Sequence, residues 1–83
     1  MNTDANSYCV NMVEVGRRIQ VLRTTKKIPM DRMQRFFGIS KQALYKWERG
    51  ESLPELQNLV ALSRFLGVTV DHLLVGDDYP LAA

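Results

Sequence analysis

The stretch Phe36-Phe37-Gly38-Ile39-Ser40-Lys41-Gln42-Ala43-Leu44-Tyr45-Lys46-Trp47-Glu48-Arg49-Gly50 decides the fold. Gly38 closes a helix, because glycine enters the left-handed C′ conformation without a Cβ penalty. Ser40 opens the next, since its hydroxyl can accept from the free N–H groups of a first turn. Only Ile39 lies between them. A link this short makes the two helices cross steeply instead of running antiparallel, so one of them projects from the domain.

Helical spacing then sorts the side chains. Met33 and Phe37 before the turn, Ile39 within it, and Leu44 and Trp47 after it are predicted to point inward. Trp47 is read as core, not as a stacking platform. Lys41, Gln42, Tyr45 and Lys46 are left outside. A projecting helix with such a face has the shape to enter the major groove of duplex DNA. There lysine can donate to guanine O6 and N7, and glutamine can pair with adenine N6 and N7. Tyr45 can meet a sugar or a thymine methyl. The plainer alternative is the solvated face of an amphipathic helix. Arg49, beside Gly50, suits either a two-pronged grip on a phosphate or the negative pole of its own helix.

Upstream, Asn11 followed by Glu14 reads as a capping box, with the glutamate reaching back to the cap. Met12, Val15, Ile19 and Leu22 then recur at helical spacing, so a first helix is predicted over 12–25. Lys26 and Lys27 suit its negative pole. Pro29 breaks that helix and opens the second, predicted over 30–37.

Downstream, Pro54 and Glu55 begin a fourth helix. Its Leu56, Leu59, Val60, Leu62, Phe65 and Leu66 fall mostly on one side, and Gly67 stops it. Thr69 caps a short fifth helix with Leu73 and Leu74 inward, ending at Gly76. No two-residue alternation marks a strand, and no internal repeat is evident. The expected organisation is a flexible segment over 1–11, one five-helix domain over 12–76, and a tail over 77–83.

Eighty-three residues make one domain with a modest core. At 46% hydrophobic residues the chain is too apolar for bulk disorder. The lone Cys9 gives no disulfide framework and no cysteine zinc site, and without a basic neighbour it is not read as a redox sensor. Neither a signal peptide nor a membrane span is expected, and the reading is cytoplasmic. Net charge is +2, but its distribution is polarised. Between Arg17 and Arg49, ten basic residues face only Asp31 and Glu48, a net +8, and the remainder carries −6. Such polarity suits a polyanionic partner on one side, or a basic surface kept for solubility. Arg17, Arg18 and Arg35 are read as general field.

The chain resembles the Cro-like phage-repressor helix-turn-helix proteins, also called the XRE family. The resemblance runs from Val15 to Gly76. It rests on Gly-Ile-Ser at 38–40, Leu-Tyr-Lys-Trp-Glu-Arg-Gly at 44–50, Pro54, and Leu-Gly-Val-Thr-Val-Asp-His-Leu-Leu at 66–74. It implies an all-α, five-helix, lambda-repressor-like DNA-binding domain, with the second and third helices as the helix-turn-helix. It also implies a salt bridge from Arg23 in the first helix to Glu48 after the tryptophan, and it favours the phosphate reading of Arg49. The family usually opens its second helix with Ser-Gln, the glutamine holding a phosphate, and has alanine four residues before the turn glycine. This chain has Pro29-Met30 and Gln34. Lys26, Lys27 or Arg32 can replace the lost phosphate contact, and Ser40 is placed with them.

Three functional classes compete. The first is a DNA-binding transcriptional regulator that contacts bases with Lys41, Gln42, Tyr45 and Lys46. One copy reads few base pairs, so a homodimer on a palindromic double-stranded site is expected, with half-sites about 34 to 36 Å apart. Its self-contact is expected around Val68, Val70, Leu74 and the Tyr79-Pro80-Leu81 segment. The second is a protein-binding adaptor of the antitoxin or anti-repressor kind, suggested by the altered helix start and by Phe36. That ring is predicted to face solvent unless the segment around Tyr8 or a partner covers it. The third, an enzyme, finds no support: no nucleophile–base pair, metal cluster or phosphate loop is present. His72 is read as a surface residue, and no cofactor or metal is expected.

Overall fold

The computed structural model describes residues 10–76. Expectations for Tyr8, Cys9 and the segment 77–83 lie outside that range. Five helices follow in order: α1 (Met12–Thr25), α2 (Met30–Phe37), α3 (Lys41–Arg49), α4 (Leu56–Leu66) and α5 (Val70–Val75). No strand occurs among the described residues.

Short polar side chains start three of the helices. Asn11 Oδ1 accepts from the Val13 and Glu14 amides at 3.0 and 3.2 Å. Ser40 Oγ accepts from Ala43 at 3.1 Å and Thr69 Oγ1 from His72 at 3.0 Å. The capping box is only half made, because the Glu14 carboxylate turns to Arg17 at 3.4 Å. Pro29 is the extended N-cap of α2, with φ −71° and ψ 154°, so the helix begins at Met30 as expected. Neither Pro29 nor Glu55, which precedes α4, gives its helix a side-chain cap.

Gly38 ends α2 at φ 64°, and the amides of Gly38 and Ile39 both turn back to the Gln34 carbonyl. A Cβ at Gly38 would meet nothing within 4 Å, so the demand for glycine here is purely one of backbone dihedral.

Val15, Ile19, Ile28, Met33, Leu44, Trp47, Leu59, Leu62, Leu66 and Leu73 form the buried core, with Phe37, Ile39 and Leu22 packed against it. Burying one such Leu or Ile contributes about 1.5 to 3 kcal/mol. Three side chains expected inside lie outside: Met12, Val60 and, at 75% exposure, Leu56. The core-facing arc of α4 is instead Leu59, Leu62, Ser63 and Leu66. Leu56 and Val60 lie just beyond one edge of that arc, where apolar periodicity continues after burial has stopped. Leu74 is only half-buried, and together with Val68 it packs against the core, so part of the expected self-contact surface is used within the monomer.

Helices α1 and α3 approach each other closely at Gly16. A Cβ at Gly16 would lie 2.3 Å from the Trp47 carbonyl oxygen and 2.6 Å from that of Glu48. The two backbones therefore touch, and only a hydrogen fits between them.

Candidate nucleic-acid interface

Helix α3 has two unlike sides. Leu44, Trp47 and Glu48 are buried. Lys41, Gln42, Tyr45, Lys46 and Arg49 are exposed. The inner side is fixed in two ways. Besides the Gly16 contact, Arg23 and Glu48 form a two-pronged ion pair, Nε to Oε2 at 2.6 Å and Nη2 to Oε1 at 3.2 Å. Arg23 Nη1 also donates to the Ile28 carbonyl at 3.2 Å. The two side chains are only 12% and 3% exposed, so each charge depends on the other for solvation.

The outer side is organised in stripes. Lys41, Tyr45 and Arg49 follow one another at intervals of four, which stacks them along one line of the helix. The Lys41 ammonium lies 5.8 Å from the Tyr45 ring centroid and the Arg49 guanidinium 5.6 Å from it. Each such contact at an exposed site is worth about 0.5 to 1 kcal/mol. Gln42 and Lys46 form the neighbouring stripe. These five side chains make one continuous donor-rich surface.

The expected phosphate contacts do not gather there as a set. Arg49 Nε donates to Glu51 Oε2 at 2.6 Å. The Arg32 guanidinium lies over the Phe65 ring at 5.5 Å. Lys26 sends its ammonium toward the C-terminal end of α4, where a Cβ on Gly67 would stand 3.5 Å from Nζ. Lys27 is exposed and holds the left-handed φ of 58°. Ser40 spends its hydroxyl oxygen on the α3 cap.

Two residues have roles the sequence did not disclose. Arg18, read as general field, is half-buried and donates from Nη1 to the Leu73 and Leu74 carbonyls, both at 3.3 Å. It thereby satisfies the free end of α5. Phe36, at 57% exposure, stacks on Phe65 at 4.5 Å and edges onto Phe37 at 4.9 Å, joining α2 to α4. A guanidinium 55 residues from its acceptors, and a ring contact with a helix 29 residues further on, leave no local signal. The Arg17, Arg18, Val21, Leu22 and His72 side chains line a shallow open depression between α1 and α5.

A helix locked to its scaffold on one side, preceded by a three-residue turn and presenting a donor-rich outer side, defines a helix-turn-helix domain. The helix-turn-helix family model matches residues 19–73. This chain belongs to that family, in its XRE-type branch of phage repressors and transcriptional regulators. A prophage-derived transcriptional regulator of Bacillus subtilis, YonR, is 43% identical over 61 residues, covering 74% of this chain and 56% of the relative. Repressor protein C2 of Salmonella phage P22 is 38% identical over 68 residues, covering 82% and 32%. The transcriptional activator BcrR of Enterococcus faecalis is 33% identical over 66 residues, covering 80% and 32%. The chain thus spans between about a third and just over half the length of these relatives. The crystal structure of the P22 c2 repressor with a synthetic operator superposes with a TM-score of 0.70 at 40% identity, covering 76% of this chain and 96% of that one. Among the described residues, no helix is long and apolar enough to cross a membrane.

Proposed function

We propose that this protein binds double-stranded DNA sequence-specifically, with α3 in the major groove, and regulates transcription as a homodimer on a palindromic site. The observation that carries the reading is the two-sidedness of α3. Lys41, Gln42, Tyr45 and Lys46 are exposed on a helix whose opposite side is buried and ion-paired to α1. Base readout needs donors and acceptors held at fixed positions, and a helix free to rock would supply none. The likeness to a repressor crystallised on operator DNA supports the same assignment. The dimer rests on arithmetic: one recognition helix makes too few base contacts for a preference of about a thousandfold over random sequence. A reader of DNA works beside it, so the cytoplasm is its proposed location, and its role is binding without catalysis.

Backbone contacts are assigned to Arg49, Lys27 and the α3 amino end at Ser40. Lys26 and Arg32 contribute to the field unless they leave their present neighbours. The adaptor reading keeps one observation in its favour, the exposed half of Phe36. Selection of duplexes from a random pool, followed by a salt series, separates the two. A DNA reader enriches a palindromic sequence and loses affinity steeply with salt. An adaptor enriches nothing.

A further inference from the structure

Among the described residues, Arg49 is the one cation of the outer face of α3 that is paired with an acid. Its Nε donates to Glu51 Oε2 at 2.6 Å, with the two side chains 58% and 50% exposed. The guanidinium also lies 5.6 Å from the Tyr45 ring centroid, on the stripe that carries Lys41. Glu51 is not needed to end α3, because that task falls to main-chain groups: the Glu51 amide donates to the Lys46 carbonyl at 2.8 Å. The carboxylate is thus free of structural duty and placed on the cation expected to meet a phosphate.

We infer that Glu51 is a specificity-determining residue, which masks the Arg49 charge and so holds down sequence-independent DNA binding. The inference rests on the DNA-binding reading above. Sequence-independent affinity comes from cations that displace counterions from phosphates, each adding about 0.9 to the slope of log K against log salt. A guanidinium already neutralised by a carboxylate displaces less. Base-edge contacts from Gln42 and Lys46 do not pass through this pair, so masking Arg49 raises the ratio of specific to random binding. An exposed pair is weak enough to open when a phosphate on the correct site is held at the right place.

The test is a double-mutant cycle with Glu51→Gln and Arg49→Ala, on a selected duplex and on random duplex of equal length, across a salt series. Thermal unfolding verifies that each variant is folded. Glu51→Gln is expected to tighten random-duplex binding by roughly three- to tenfold near 0.1 M salt and to steepen the slope by about one. In the Arg49→Ala background the same change is expected to do little. A Glu51→Gln gain that persists undiminished without Arg49 reduces Glu51 to general repulsion and overturns the inference, as does the absence of any gain. A wild-type protein with no salt-dependent duplex binding overturns instead the DNA-binding reading beneath it.

Discussion

The protein contains two Arg–Glu pairs at the same 2.6 Å distance, both ending at α3, and their surroundings give them opposite meanings. Arg23–Glu48 is 12% and 3% exposed, two-pronged, and joins α1 to the inner side of the helix. Arg49–Glu51 is 58% and 50% exposed and lies on the outer side. Water screens the second pair and can replace either partner, whereas the first is closed off from water, and apart from the Ile28 carbonyl on Arg23 each charge relies on the other. Distance alone says nothing about what an ion pair is for. Burial makes one a rivet, and exposure leaves the other adjustable.

The sharpest way to break this comparison is to delete the carboxylate of each pair. Glu48→Ala strands the Arg23 charge in the α1–α3 contact and is expected to cost about 3 to 5 kcal/mol in denaturant unfolding. Glu51→Gln is expected to stay within about 0.5 kcal/mol of wild type. Similar losses for the two would end the distinction.

Next in size is Gly16→Ala. The new methyl meets the Trp47 and Glu48 carbonyls, which are main chain and cannot swing away. A loss of about 1 to 3 kcal/mol is expected, despite alanine's better helix propensity. A stabilised variant would show that α1 and α3 are not in backbone contact. Gly38→Ala is milder, about 1 to 2 kcal/mol, because open space surrounds the site and only the left-handed φ resists a side chain. Melting curves of the two variants side by side distinguish crowding from dihedral strain.

How much the sequence disclosed follows the same inner and outer division. Helix ends were legible because a cap is a local event: Asn11, Ser40 and Thr69 start helices, and Gly38, Gly50 and Gly67 end them. The inward set around the turn was legible because a buried stripe imposes a period. The same rule failed on α4, where Leu56 and Val60 keep the period and lose the burial. The partners of surface cations were not legible at all. Arg18 on the α5 carbonyls, Arg32 over Phe65 and Arg49 with Glu51 look alike as letters in a basic stretch. Which acceptor each one finds is decided by tertiary placement, so a charge count yields a field and no contacts. The Arg23–Glu48 pair is suggested by the family resemblance together with the isolation of Glu48 in an otherwise basic stretch, since spacing does not distinguish it from the other possible pairs.

On the proposed reading, the outer side of α3 reads sequence while its inner side holds it still. Gln42→Ala tests this most directly, because the residue is exposed and uncharged, and removing it leaves the phosphate field unchanged. Affinities are to be measured for wild type and variant on the duplex selected from a random pool, and on a scrambled duplex of the same length. A wild-type preference of about a thousandfold or more is expected. The variant is expected to lose about 1 to 3 kcal/mol on the selected duplex alone, with scrambled binding and thermal stability unchanged. Equal losses on both duplexes, or an unaltered preference, would contradict that reading.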